Sequence, residues 1–522
     1  MKGLGTTAVS AAAIILSGAS MAYAADMSMP VKAVPVSGPS MCMSIMDFFT
    51  TACQVSAYGV RFYGTVDVGG GYQTAGTPMD PHIGADPYLG KPSRGAMFVA
   101  SPNNLSVSNV GLQINERIGG DWAFVAQVEA GFNPYSGDLL DAPKSLRSGI
   151  GVPLAQQTAI TDANFNGQFY NDLGYFGFSH PIWGTLTFGR QNSLGADQVL
   201  AYDPQQSAGA FSVLGLIGSY AGGGNTENRR DTTALKYRVN IANWHLGLYA
   251  QVGGFEQGND STGAYYANVG SDFHIGPGLF SWDAVGGTRR NSIGEGPGGI
   301  TGPVNSDGSP FQPFTDGVDE AIGATLNNTT QFMLTGKYTV DRLKLYAGWD
   351  YMRFSSPDDP NIALEGVPSD ISGLALAGSG AGGVIAPGSS INATLFNGRV
   401  LQNAWVGFRY ALTDSLDLSG AYYHVWQNDF SNGAKETFST APGQSIPQRL
   451  ALGQAVTCAA SPRISIQCSG TQNEVSLVLD WKFAPKWDTY IGTNFVHGAG
   501  GLNSGYLEQT NISTTAGLRF RW

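Results

Sequence analysis

Val60-Arg61-Phe62-Tyr63-Gly64-Thr65-Val66-Asp67-Val68 decides how this chain is read. One parity is Val60, Phe62, Gly64, Val66 and Val68; the other is Arg61, Tyr63, Thr65 and Asp67. A strand sends successive side chains to opposite faces, so this segment has one greasy face and one polar face. In a soluble sandwich those faces meet core and solvent. In a membrane barrel they meet lipid and an aqueous interior. The surrounding sequence chooses between the two.

Working outward, sixteen such segments follow one another, at 58–73, 105–117, 121–133, 170–180, 182–191, 232–241, 243–254, 264–275, 279–290, 329–340, 342–354, 398–411, 415–428, 472–484, 486–498 and 510–522. Phe332, Leu334, Gly336, Tyr338 and Val340 face away from Gln331, Met333, Thr335, Lys337 and Thr339. Val475, Leu477, Leu479, Trp481 and Phe483 face away from Glu474, Ser476, Asp480 and Lys482, with Val478 the exception. Seven very short links alternate strictly with eight long ones rich in Gly, Pro, Asn and Asp. All long loops at one end and all tight turns at the other is the asymmetry of an outer-membrane barrel, and loops this long are unusual inside a soluble domain.

Tryptophan placement agrees. Trp122, Trp183, Trp244, Trp481, Trp487 and Trp522 fall beside short links or at the C-terminus, so a barrel gathers them into an interfacial ring. The last segment, Ile512 to Trp522, alternates to its end, as a strand closing a barrel against the first must. Charged residues are only 13% and Gly is 72 of 522, which excludes disorder and disfavours a helix-rich enzyme. With a net charge of -11 the chain also lacks the basic surface that a nucleic-acid partner requires. The expected fold is therefore all-β, a sixteen-stranded antiparallel transmembrane barrel over 58–522.

Lys2, the apolar run Ala8–Leu16 and Ala22-Tyr23-Ala24 form a signal-peptide pattern, predicting export and cleavage after residue 24. Residues 25–57 then form an N-terminal extension without sustained period. Four cysteines fall as two local pairs, Cys42/Cys53 and Cys458/Cys468. They allow three connectivities, and their short separations favour the two local bridges, consistent with an oxidising compartment. No cofactor, metal centre or catalytic constellation is expected. Motifs for zinc proteases, serine hydrolases and P-loops are absent, and the two G-x-G-x-x-G matches, from Gly294 and Gly378, lie in glycine-rich loops.

These residues resemble the general trimeric porins of Gram-negative outer membranes. Phe62-Tyr63-Gly64-Thr65-Val66-Asp67 resembles the family's opening strand. Tyr175-Phe176-Gly177-Phe178 followed by Trp183 to Gln191 resembles its fourth and fifth strands, and the aromatic C-terminus is the third point of likeness. Met29 to Ala33 and the first cysteine pair are similar to those of alphaproteobacterial porins. Two wall arginines of the family pattern are missing: Asn109 stands in the second strand, and Asn171-Asp172 opens the fourth.

The resemblance implies a homotrimer in the outer membrane, surrounded by lipid and lipopolysaccharide, passing small hydrophilic solutes and ions. It also implies a constriction made by the inward-folded loop after the fifth strand, here 192–231. That loop holds Asp197, Asp203, Glu227, Arg229 and Arg230. Parity points Arg61, Asp67, Gln127, Glu129, Lys236 and Arg238 at the interior, while Arg190 shares parity with Leu186 and Phe188, so its strand must end or bend there. Loop acids facing wall bases would make a transverse field, and with two wall arginines absent the reading favours mild cation preference. Lys337, Lys344, Arg409, Lys482, Arg519 and Arg521 belong nearer the short-turn end, in a vestibule. The alternative is a channel selective for a sugar or small organic ion.

Overall fold

The computed structural model describes residues 41–75, 96–137, 172–216, 230–254, 261–296, 322–355, 358, 399–429, 469–500 and 509–522. A short helix α1 (Ile45–Thr50) precedes β1 (Val55–Ala57), β2 (Val60–Gln73), β3 (Met97–Ala100), β4 (Asn109–Gly119), β5 (Trp122–Gly131), β6 (Leu173–His180) and β7 (Gly184–Asn192). Helices α2 (Leu194–Tyr202) and α3 (Val213–Leu216) lie between β7 and β8 (Arg230–Ile241). Then come β9 (Trp244–Gln251), β10 (Gly263–Ile275), β11 (Gly278–Gly296), β12 (Ile322–Val340), β13 (Leu343–Ser355) and β14 (Arg399–Ala411). β15 (Leu416–Gln427), β16 (Gly470–Ala484), β17 (Trp487–Gly500) and β18 (Thr510–Arg521) complete the chain.

Omitting the short β1 and β3, sixteen strands pair antiparallel with their sequence neighbours, and β18 returns to β2. Leu518 stands opposite Val68 and Phe520 opposite Val66. Trp522 adds a reciprocal backbone pair with Gly64, its N–H donating to the Gly64 carbonyl at 3.0 Å and its carbonyl accepting from the Gly64 N–H at 3.3 Å. The glycine of the opening motif is required there, because a Cβ on Gly64 would sit 2.2 Å from the Trp522 ring. Tight turns such as 242–243 and 341–342 join one end, with left-handed backbone at Ala242 (φ 54°), Gly276 (φ 55°) and Asp341 (φ 49°).

The outward faces are greasy. Leu112, Phe178, Leu248, Leu334, Val406, Leu477, Ile491 and Leu518 are all exposed, a surface no water-soluble monomer would present. No helix among the described residues is long and apolar enough to cross a membrane. The interior is not uniformly polar. Met333, Met352, Leu401, Val425, Val478 and Val496 point inward and are buried, because the segment after β7 packs on them. Val478, the odd residue in its alternating strand, belongs to a cluster with Phe211, Ala208 and Ala210 of that segment.

The residues before the barrel form a clasp. Cys42 and Cys53 are disulfide-bonded, and β1 folds back on β2 through Tyr58 (φ 51°) and Gly59 (φ 76°). Two left-handed residues make the tight hairpin that strand twist prefers. Helix α1 lies against the closing seam, with the Phe48 ring 5.4 Å from Phe520 and the Phe49 ring 5.3 Å from it. Cys458 and Cys468 lie outside the described residues, as does the signal-peptide region.

Candidate functional site: the infolded segment and the inner wall

After β7 the chain turns into the barrel. Ser193 caps α2, its Oγ accepting from the Ala196 N–H, a usual role for serine at a helix start. Helix α2 then crosses the interior beside β7 and β9–β13. Leu194 and Val199 are fully buried among Tyr249, Tyr266, Met333 and Trp405. Gln198 Nε2 donates to the Asp283 carbonyl (2.9 Å) and to Thr335 Oγ1 (3.0 Å). Trp405 Nε1 donates to the Tyr202 carbonyl (3.1 Å). Further along, Gln205 bridges β15 and β16, accepting from Ser419 Oγ (2.8 Å) and donating to Ser476 Oγ (3.0 Å). The Ala210 N–H reaches the Asn104 carbonyl at 2.9 Å. The segment is thus tied to the wall on opposite sides and divides the interior.

Its acids are engaged, and this differs from the expected open acidic face. Asp197 accepts from Lys236 Nζ at 2.6 Å, from the Arg238 guanidinium, and from Asn192 Nδ2 at 3.2 Å. Burial pushes its carboxyl up, but Lys236 and then Arg238 outweigh burial and hold its pKa below the ordinary value. The bases expected to face this acid across water touch it instead. Asp203 is fully buried and does not line the channel. It closes the segment's own turn, accepting from the Gln205 N–H (3.1 Å), the Ser207 N–H (2.7 Å), Ser212 Oγ (2.7 Å) and the Tyr423 hydroxyl. Burial raises its pKa, with those donors opposing.

The wall residues sort in the same way. Tyr63, Gln127, Glu129 and Tyr175 form one buried network: the Tyr63 hydroxyl donates to Glu129 (2.6 Å), Gln127 Nε2 to Tyr63 (2.6 Å), and the Tyr175 hydroxyl to Gln127 (2.7 Å). Asp67 is interior but sealed, accepting from the N–H groups of Leu105 and Ser106, both at 2.9 Å, and from the Tyr490 hydroxyl. Arg190 also departs from a lumen-facing role. A bulge between Gly189 and Gln191 breaks the register, and Arg190 lies buried with Nη1 3.4 Å from Thr232 Oγ1. Arg230 begins β8 and pairs with Asp172. Glu227 and Arg229 lie outside the described residues.

Sequence parity located the interior face but could not separate sealed acids from accessible bases. Among the described interior residues, Asp67, Glu129, Asp172, Asp203, Asp231, Asp350, Glu474 and Asp488 are buried. The buried bases are Arg190, Arg289 and Arg519. The partly exposed charges are nine bases (Arg61, Arg230, Lys236, Arg238, Lys337, Lys344, Arg409, Lys482, Arg521) against five acids (Asp197, Asp272, Asp283, Asp417, Asp480). Although the chain carries a net charge of -11, its described interior charges that reach water are thus mostly basic. No group of side chains suited to a metal ion occurs among the described residues.

A family model described as Gram-negative porin matches residues 6–498. Solved structures similar to this chain include an anion-selective porin from Comamonas acidovorans, at 11% identity over 89% of this chain and 99% of that one, TM-score 0.48. A loop-deletion mutant of OmpT, an outer membrane protein of Vibrio cholerae, is 14% identical over 89% and 99%, TM-score 0.48. OprB of Pseudomonas putida is 12% identical over 88% and 93%, TM-score 0.44. No curated protein matches the sequence.

Proposed function

The chain belongs to the Gram-negative porin family, and on that premise we propose that it is a passive diffusion channel of the outer membrane for small hydrophilic solutes and ions, exported by a cleaved signal peptide and working as a homotrimer among lipid and lipopolysaccharide. One observation carries the reading: the closed sixteen-stranded barrel holds the segment 193–216 laid across its interior and fastened to opposite walls. Such a segment narrows a channel without closing it and sets the size of what passes. Family and fold both point to a channel rather than an enzyme.

The mild cation preference expected from the sequence stands as a further part of this proposal, to be read from reversal potentials in a salt gradient. It rests on loop acids and on two missing wall arginines; of the loop acids, Asp197 is matched by two bases and Asp203 is enclosed, which leaves the missing arginines as its main support. Planar-bilayer recordings test the channel. Stable, ohmic single-channel steps support it, and their absence from correctly folded protein overturns it. Gel mobility before and after heating tests the trimer, which should run as one heat-labile species.

A further inference from the structure

We infer that the outer wall carries a binding groove for one bilayer lipid, with its acyl chain laid across β11–β14 and its acyl linkage held by His424 and Asn473. Given the barrel's place in the outer membrane, on which this rests, the partner is a lipid of the surrounding bilayer and not a solute of the channel.

The register makes the groove. On the outward face Trp282 stands opposite Gly336, Gly336 opposite Ala347, and Ala347 opposite Val406. In the next row toward the long loops Trp349 stands opposite Ala404, and Ala404 opposite His424. Small side chains thus fall together on β12, β13 and β14, with large ones around them. The result is a cavity of about 740 Å³, floored by Gly336, Ala347 and Ala404 and rimmed by Phe280, Trp282 and Trp349. Phe280 leans over bare backbone, since a Cβ on Gly336 would lie 3.3 Å from its ring. An unfilled groove leaves its lining without van der Waals partners. The wall around it is continuous with the exposed apolar side chains of the barrel's outside, such as Leu334, Val406 and Leu477. Between apolar phases nothing is gained by leaving water, so fit and hydrogen bonds decide what settles there.

One end of the groove is polar. Asn473 lies opposite His424 on β16. Its Oδ1 accepts from the Tyr422 hydroxyl (2.8 Å) and meets His424 Nδ1 at 2.8 Å. An amide oxygen only accepts, so Nδ1 carries the hydrogen and the neutral ring presents Nε2 as an acceptor. The Asn473 amide nitrogen adds two donors. Trp349 differs, because its Nε1 already donates to Gln402 (3.2 Å). Polar groups set among apolar ones are costly unless bonded, and Val475 and Leu477 follow Asn473 on the same face of β16. The linkage region of a lipid answers both groups: an ester carbonyl accepts from the amide, and a hydroxyl donates to the imidazole.

The polar end also sets the direction. β11 and β15 both start at the short-turn end. Trp282 lies four residues into β11 (278 to 282) and His424 eight into β15 (416 to 424). At a rise of about 3.3 Å per residue, the linkage sits toward the long loops and the chain runs down toward the short turns.

The test uses the full-length protein, stripped of lipid in detergent, with a diacyl phosphatidylethanolamine as the probe and native mass spectrometry as the readout. The wild type should retain one lipid per chain at concentrations where further lipids are not held. In Ala347→Phe/Ala404→Phe, which fills the floor, retention should need about tenfold more lipid. His424→Leu should need about fivefold more, the worth of one hydrogen bond. Ile491→Phe, which adds bulk on β17 outside the groove, should leave retention unchanged. If the double variant loses heat-modifiable mobility, Ala347→Phe alone is used, with a rise of about threefold expected. Folded wild type that retains no lipid overturns the groove, as does equal loss in Ile491→Phe. A filled variant that keeps its lipid but loses its heat-labile oligomer overturns it in favour of a second copy of the chain. Conductance of the same wild-type protein in planar bilayers keeps the two readings apart. A conducting protein without bound lipid refutes the groove alone, and a lipid-binding protein without conductance refutes the channel alone.

Discussion

Two segments outside the barrel wall are fastened to it in opposite ways. The clasp of residues 41–57 lies against the closing seam. A disulfide holds it, as do aromatic contacts and two bonds to main-chain carbonyls, from Lys486 Nζ to Phe48 (2.9 Å) and from Trp487 Nε1 to Phe49 (2.9 Å). Its helix buries nothing of its own fully, and Met43, Ile45 and Met46 stay exposed. The infolded segment has no covalent tie. It buries nearly every side chain of α2 and satisfies its acids with donors from its own turn and from distant strands. A clasp on the surface can be covalent and locally autonomous. A segment inside the channel depends on the wall residue by residue, so its position is set by many weak, specific contacts.

The largest effect should come from breaking the most connected of those contacts. Asp203→Ala leaves the Tyr423 and Ser212 hydroxyls and two backbone N–H groups without their acceptor. Each orphaned buried donor costs about 1–3 kcal/mol. The loss should reach about 3 kcal/mol or more, enough to free the segment, and single-channel conductance should rise and become noisy. Unchanged conductance with normal heat stability would show that the turn does not position the segment.

Removing the clasp's covalent tie should matter less and elsewhere. Cys42→Ser/Cys53→Ser opens a short loop whose closure is worth about 3 kcal/mol at most by chain entropy. Proteolysis before residue 58 should speed up while conductance stays the same. A conductance change would mean that the clasp and the channel interior are coupled. Lys486 offers a gentler probe of the same region. Burial lowers its pKa, so a neutral Lys486→Gln should be tolerated by the barrel while loosening α1, seen as faster exchange of the helix amides.

A third variant probes the far anchor of the infolded segment. A Cβ on Gly492 would lie 2.6 Å from the Phe211 ring and 3.0 Å from the Leu477 carbonyl. Gly492→Ala must therefore displace Phe211, and overpacking of this kind costs about 1–3 kcal/mol. A modest conductance change without loss of the barrel is the outcome to look for.

The comparison also explains what could be read from sequence. Strand order, the short–long alternation and the closing terminus were legible because lipid imposes a two-residue period on every strand and punishes each lapse. The ranges were close, though β11 runs on to Gly296 and β12 starts at Ile322, beyond the expected 290 and 329. Contacts of the infolded segment were not legible as a pattern, since they join residues far apart in the chain, as Gln205 with Ser476. They did leave a trace. Val478 and Met333 break the polar face at positions where the segment docks. Arg190 was flagged by its parity, and the bulge at Gly189 (φ 126°) is the local reason. Charge signs alone do not reveal burial, which among the described residues removes more acids than bases from the interior.

Acid offers the smallest and most selective way to sharpen the contrast between the two segments. Asp197 is held below the ordinary carboxylate pKa of about 3.9. Its contribution is therefore complete above that value and is lost only as pH falls through the lower folded value. Asp203 lies on the other side. Burial raises its pKa, so the folded chain favours the neutral acid there, and protonation on the way down does not loosen the turn. Between neutrality and about pH 4 the infolded segment should stay in place, and channel size, read from polymer exclusion, should stay constant. Below that, release of Lys236 and Arg238 should change the conductance first, while the disulfide-held clasp remains resistant to protease. In Asp197→Asn the pairing with both bases is weakened at every pH, so the acid transition should disappear from the conductance record. A transition that persists unchanged in this variant would place the acid-sensitive group elsewhere on the wall.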